Sequence, residues 1–96
     1  MNAATLNRRA GAAAASVSRT LASNGLRPLP SGTSRNREGI RVTRTTAERI
    51  RVGIDLDSPR ARAVVEDEVV NVLRAEGFSV EVQVAALYVS HPRLAP

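Results

Sequence analysis

The hydrophobic pattern of the chain changes its period sharply at Ser58 and Pro59. In residues 49–57 apolar side chains occupy alternate positions, which is typical of a half-buried strand. Ser58 and Pro59 then supply a helix N-cap and a first-turn proline, and apolar side chains recur every three or four residues until Gly77. A strand followed directly by a helix over 58–76 predicts an α+β domain.

Weaker patterns predict the other elements around this pair. A thin, alanine-rich apolar stripe predicts a first helix over 3–24, and two prolines confine the piece from Leu26 to Pro30 to a sheet edge. Further alternation predicts strands over 39–44, 78–84 and 87–90. We therefore expect one small α+β domain over 1–91, in the order α-β-β-β-α-β-β. Its sheet is mostly antiparallel with both helices packed on one face, 31–38 is a basic loop, and 92–96 is a tail.

The core has to be built without aromatic anchors. Hydrophobic residues make up 43% of the 96, yet Phe78 and Tyr88 are the only aromatic ones. Self-association would help to stabilise such a core of aliphatic side chains. The predicted buried stripe of the second helix is Val65, Val69, Val72 and Leu73.

Charge is unevenly distributed along the chain. All 14 basic residues are arginine, which together with abundant alanine indicates a G+C-rich coding sequence, such as that of an actinobacterium or its phages. Residues 1–53 hold ten arginines against two glutamates, a net charge of +8, whereas residues 54–96 hold four arginines against seven acids, a net charge of −3. If the two kinds of charge occupy different faces, copies of the chain could associate head to tail. The alternative is that the charges intermix once the chain folds.

Two groups of residues are the candidate binding surfaces. The basic group lies in the loop 31–38 and the hairpin after it, and its arginines form planar hydrogen bonds to carboxylate or phosphate. It consists of Arg35, Arg37, Arg41, Arg44, Arg49 and Arg51. The complementary acidic group consists of Asp55, Asp57, Glu66, Asp67 and Glu68.

Residues that support catalysis or hold cofactors are scarce in the sequence. The single histidine, His91, lies in a proline-bounded tail, and the absence of cysteine excludes disulfides and thiolate metal sites. Asp55 and Asp57 share a strand face and could bind a hard cation, but we expect them to end the strand before the positive N-terminus of a helix. We predict no enzyme activity, no cofactor, no metal, no small-molecule substrate and no membrane span, and place the chain in a virion or a host cytoplasm.

The arginine group also fits a second kind of partner. Six arginines in one patch could contact phosphates, which would make binding steeply dependent on salt. Neither aromatic residue lies in the basic half, so stacking on bases is not expected, and the first helix offers no base-reading side chains. The alternative function is therefore that of a basic accessory protein that binds the nucleic-acid backbone without sequence specificity.

The wording GIRVTR, followed by RIRVGIDLDSPRARAVVEDEV, resembles the tail-terminator and related neck proteins of long-tailed bacteriophages over residues 26–76. In that family a strand of the type VRVTR precedes a second strand that ends near an aspartate, then a helix rich in alanine and valine. The resemblance implies a ring subunit at the joint between capsid and tail, which packs against neighbouring subunits around the DNA channel and has no catalytic residues. We therefore expect a non-catalytic structural protein that oligomerises through complementary charged faces.

An internal repeat is a further hypothesis. TLASNGL at 20–26 and VLRAEGF at 72–78 share a leucine four residues before a glycine, and GIRVT and ALYVS follow as comparable strands. Duplicated αββ units would explain this pattern. It would equally arise wherever a helix ends in glycine before a strand.

Overall fold

The computed structural model describes residues 14–44 and 49–90. Its elements follow in the order α-β-β-α-β-β, which confirms the α+β class. They are a helix α1, described over 14–23, the strands β1 (Gly39–Arg44) and β2 (Ile50–Asp55), the helix α2 (Pro59–Ala75), and the strands β3 (Ser79–Val82) and β4 (Leu87–Ser90). The predicted first half of helix 3–24, the turn at 45–48, His91 and the tail at 92–96 lie outside the described residues.

The four strands form one antiparallel sheet in the order β1-β2-β4-β3. Two hairpins, β1-β2 and β3-β4, therefore meet through their inner strands. Val52 lies opposite Val42 of β1 and Leu87 of β4, and Ile50 lies opposite Val89. Because paired residues project to the same side of a sheet, these apolar side chains share one face.

Both helices cover that apolar face. Val17 and Leu21 of α1 and Val69 and Leu73 of α2 are each 0% exposed, and they belong to one cluster with the buried strand residues. The strand members of the cluster all come from the same side of the sheet; they are Ile40, Ile50, Val52, Ile54, Val80, Leu87 and Val89. The opposite side of the sheet carries no helix among the described residues.

The second helix begins where the sequence predicts. The Ser58 hydroxyl accepts a hydrogen bond from the Ala61 N–H at 3.2 Å, and Pro59 occupies the first turn. The buried stripe differs by one position, because Val70 is buried beside Val69 and Leu73 while Val65 and Val72 are only partly buried. The helix is rotated slightly from the predicted orientation.

The two helices end in the same way. Gly25 and Gly77 have φ of +78° and +91°, a conformation that L residues with a side chain rarely adopt. The Leu26 N–H donates to the Leu21 carbonyl at 2.9 Å, and the Phe78 N–H donates to the Leu73 carbonyl at 3.0 Å. The shared cap and the repeated αββ order agree with the repeat hypothesis. Its strand alignment is wrong, since GIRVT lies in β1 and LYVS forms β4, which are different positions in the two units.

The piece from Leu26 to Pro30 is not a strand. A single backbone hydrogen bond joins it to the sheet edge, from the Leu29 N–H to the Ile40 carbonyl at 2.7 Å. Pro28 and Pro30 have no N–H, so the ladder cannot continue on either side of Leu29. The predicted order placed three strands before the second helix, whereas the structure has two. The element order is therefore corrected to α-β-β-α-β-β.

The last predicted strand pair is shorter than its alternation suggests. β3 ends at Val82, and the Gln83 N–H donates to the Ala86 carbonyl at 3.0 Å to close a tight turn. Val84, predicted to continue the strand, lies at the tip of this turn and is 96% exposed. Neither helix is long and apolar enough to cross a membrane within the residues described.

Candidate interaction surface

The face of the sheet that the helices leave uncovered is lined by polar and charged side chains. One row crosses all four strands, because Thr43 pairs with Arg51, Arg51 with Tyr88, and Tyr88 with Glu81. We call this side of the sheet the polar face. Its position follows from the strand alternation that sends Ile50, Val52 and Ile54 toward the helices.

An ion pair and a ring contact connect the two hairpins on the polar face. The Arg49 guanidinium binds the Glu81 carboxylate and lies over the Tyr88 ring, 5.0 Å from its centroid. About half of each charged side chain is exposed (42% and 53%), so the ion pair contributes at most about 1 kcal/mol and the cation–π contact about as much. Their main effect is to fix conformation. The side chains of Arg49, Glu81 and Tyr88 have defined positions on the polar face before any partner binds.

Arg51 differs from its neighbours on this face. Its guanidinium folds back over Gly53, with a terminal nitrogen 3.1 Å from the point where a Cβ would stand. Among the described residues no carboxylate or carbonyl accepts a hydrogen bond from this guanidinium. The centre of the polar face therefore holds a partly buried cation that is not paired with any carboxylate in the described part of the chain.

Arg41 is bound entirely by its own chain. Its Nε lies 2.8 Å from the Asp55 carboxylate, and its terminal nitrogens donate to the carbonyls of Thr33 at 3.0 Å, Ser34 at 2.6 Å and Arg37 at 2.9 Å. Only 18% of the side chain is exposed. Four acceptors saturate most of the donors of one guanidinium, so Arg41 is occupied in holding the loop 31–38 against the sheet.

Further bonds fix the same loop. The Glu38 carboxylate accepts from the Asp57 N–H at 2.6 Å, which joins the end of the loop to the segment between β2 and α2. Inside the loop the Thr33 hydroxyl donates to the Pro30 carbonyl, and the Ser34 hydroxyl pairs with Asn36. Together these hydrogen bonds give the loop a specified conformation.

An open groove of about 840 Å³ lies between this loop, the end of β2 and the start of α2. Five arginines and three carboxylates line it, a net charge of +2. They are Arg35, Arg37, Arg41, Arg51 and Arg62, with Glu38, Asp55 and Asp57. We call it the arginine groove.

The structure brings together some of the predicted basic residues and separates others. Arg35 and Arg37 lie on the loop and Arg41, Arg49 and Arg51 lie on the polar face. Arg44 ends β1 opposite Ile50, and its side chain is outside the described part. Of the five placed arginines, Arg41 and Arg49 already bind carboxylates.

The expected separation of basic and acidic residues onto opposite faces is wrong. Asp55 lies on the polar face paired with Arg41, and Asp57 lines the arginine groove beside four further arginines. Glu66, Asp67 and Glu68 lie on α2, on the other side of the sheet. The cause is that the chain crosses from the sheet to the helix layer at Ser58, which divides the acidic run between two layers. The charges intermix.

Tyr88 is a residue of this site that was not predicted from the sequence. It lies far from the arginines in the chain, and stacking was discounted for that reason. The pairing of β2 with β4 places it directly beside Arg51 and under Arg49. Only the order of the strands could have revealed this neighbour.

A second, more apolar groove of about 580 Å³ lies at the tip of the β3-β4 hairpin. Val82 and Val84 line one side and Pro59 and Ala63 the other. Arg62 spans the groove by donating to the Val84 carbonyl at 2.8 Å. The Arg62 Nε is buried and has no hydrogen-bond partner among the residues described.

Within 14–44 and 49–90 no three acidic or histidine side chains lie close enough together to hold a metal ion. Comparison with known proteins gives no further identification, since no family model, curated protein or solved structure matches this chain.

Proposed function

We propose that this chain is a non-catalytic structural protein that assembles with copies of itself through the polar face of its sheet. The observation that carries the proposal is the row formed by Thr43, Arg51, Tyr88 and Glu81, which faces away from both helices. Tyrosine and arginine are the residues that most often dominate binding energy at protein interfaces. Here both are held in place by strand pairing and by Arg49, so little conformational entropy is lost on binding.

Association through this face replaces the mechanism expected from the sequence. Intermixed charge does not favour the predicted contact between one basic and one acidic face, but a mixed surface can be self-complementary. In a two-fold arrangement Arg51 of one copy, which binds no carboxylate within 14–44 and 49–90 of its own chain, can meet a carboxylate of the other, such as Glu81. A contact of this kind fixes the register of two sheets while contributing modestly to affinity.

The size of the polar face limits the strength of the contact. Four strands about 4.8 Å apart and four to six residues long present roughly 300 to 400 Å² of projected area. A standard interface buries about 800 Å² on each partner, so a stable assembly must extend onto neighbouring surface. The loop 31–38 is adjacent and is well ordered by Arg41, which makes it the natural extension.

We also propose a setting for this assembly. The resemblance of residues 26–76 to phage neck proteins supports a place in a virion, or in a host cytoplasm before virion assembly, as a subunit of a ring. The partner is then the next subunit, and repetition of a weak contact around a closed ring supplies the stability that one interface lacks.

Sedimentation equilibrium over a wide concentration range tests the proposal. We expect reversible association, weakened about tenfold or more by Tyr88→Ala, as befits the loss of a central aromatic side chain. The double exchange Arg49→Glu with Glu81→Arg keeps the internal ion pair but inverts the local charge pattern, and should abolish association without unfolding the chain. Arg60→Ala, on the exposed start of α2, is the control and should change nothing. A chain that remains a monomer to about 1 mM, or a Tyr88→Ala variant that associates like the unmodified protein, contradicts the proposal.

A further inference from the structure

We infer that the arginine groove, which shares Arg51 with the polar face, is a binding site for the phosphates of a nucleic-acid backbone. The chain divides its described arginines into two kinds. The guanidinium groups of Arg41, Arg49, Arg62 and Arg74 each bind a carboxylate or a carbonyl of the protein. Those of six others do not bind any described residue, and three of these, Arg35, Arg37 and Arg51, line the groove.

The carboxylates of the groove are largely engaged. Asp55 is paired with Arg41, and Glu38 accepts the Asp57 N–H, so neither is a natural partner for the three unpaired arginines. The Asp57 carboxylate is the one acid of the groove for which no bond to the described part of the chain is found. Counting only the residues that the structure describes, the groove therefore presents three unpaired cations against one unpaired anion.

Arg41 makes this presentation possible without contacting the ligand itself. By binding three loop carbonyls it determines the path of residues 33–37, and so where Arg35 and Arg37 project. A planar fork that binds several acceptors cannot be replaced by a lysine, whose ammonium is a single point charge. Arg41 is a positioning residue for the site.

The chemistry favours phosphate over other anions. A guanidinium forms two parallel hydrogen bonds to either phosphate or carboxylate, so this geometry alone does not distinguish a phosphate ligand from a carboxylate ligand. The groove is open along its length, has no aromatic residue in its lining and belongs to a chain of net charge +5. An extended, regularly charged polymer suits such a groove, and the missing aromatic residues indicate contact with the backbone and not with stacked bases.

Fluorescence anisotropy with a labelled DNA duplex of mixed sequence, repeated across a salt series, tests this inference. Three phosphate contacts predict a slope of log affinity against log salt near −2.7, which is about a fortyfold loss from about 50 to about 200 mM salt. The double variant Arg35→Ala with Arg37→Ala should reduce the slope to about −0.9. Its matched control removes the same charge from exposed helical sites, as Arg19→Ala with Arg60→Ala, and should leave the slope almost unchanged.

Two further variants separate the position of the arginines from their charge. Arg41→Lys keeps the charge but loses the fork, so affinity should fall about tenfold while the slope stays the same. Asp57→Asn removes the repelling carboxylate and should tighten binding several-fold, a gain that misfolding cannot produce.

Three results would overturn the inference. One is the absence of binding at low salt. Another is a control pair that lowers the slope as much as the loop pair, which would indicate diffuse attraction to the whole surface. The third is equal competition by a polyglutamate chain, which would reassign the groove to acidic protein segments. Variants of Tyr88 test self-association and should leave DNA affinity unchanged, so the two proposals can fail independently.

Discussion

Replacement of Arg41 by alanine should destabilise the protein by about 2 to 4 kcal/mol. The side chain is 18% exposed and its four acceptors are the carboxylate of Asp55 and three carbonyls of the loop 31–38. A hydrogen bond from a charged donor contributes about 1.5 to 3 kcal/mol when desolvated. Two of these three carbonyl contacts lie at exposed positions, where water can replace the donor, so we assign about 0.5 to 1 kcal/mol to each contact. The ion pair with the half-exposed Asp55 adds about 0.5 to 1 kcal/mol.

Urea denaturation followed by circular dichroism measures this loss directly. The midpoint should fall while the slope of free energy against denaturant stays the same, because the core is untouched. Arg41→Lys should recover less than half of the loss, and Arg51→Ala, which removes no internal bond, should cost less than about 0.5 kcal/mol. Amide hydrogen exchange should show residues 33–37 opening in the Arg41 variants while Ile50 and Val89 remain protected. A loss for Arg41→Ala no larger than that for Arg51→Ala would refute the assignment of Arg41 as the anchor of the loop.

The remaining predictions concern the stability of the fold that positions the polar face, and each is measured from the midpoint of urea denaturation. Leu73→Ala should cost about 3 kcal/mol because this side chain is 0% exposed, and a loss below about 1 kcal/mol would mean that the second helix packs differently. Gly77→Ala should cost about 1 kcal/mol, from a φ of +91° with no neighbouring atom in the way. Gly39→Ala should cost more, since a Cβ there would lie 2.7 Å from the Leu29 Cγ, and equal costs at the two glycines would contradict that contact. Ser58→Ala should cost about 1 kcal/mol through loss of the N-cap, with helical content falling first at the start of α2.

Local patterns in the sequence were sufficient for most of the fold. The alternation over 49–57, the Ser58 cap and the glycines after each helix act within a few residues, so β2, α2 and both helix ends could be predicted. The error at Leu26 to Pro30 has a local cause as well. Two prolines leave Leu29 as the sole donor to the sheet edge, which suffices for one bond and not for a strand.

The candidate surface depended on contacts between distant parts of the chain, and these could not be predicted. Nothing near Tyr88 indicates that β4 pairs with β2, yet this pairing brings the ring to Arg51. Composition likewise grouped Arg41 with the other arginines, although its bonds to Asp55 and the loop make it a support and not a contact residue. The charge count along the chain also could not show that the chain passes from the sheet to the helix layer at Ser58. This passage places some acidic residues in the sheet and others in α2.

We propose that this chain meets another copy of itself at the polar face of its sheet. NMR spectra of nitrogen-labelled protein, recorded at increasing concentration, test this contact. We expect the amide signals of Arg51, Tyr88 and Glu81 to move together with concentration, while those of Asp67 and Glu68 on α2 stay constant. Shifts confined to the α2 surface, or a spectrum that does not change with concentration, would contradict it.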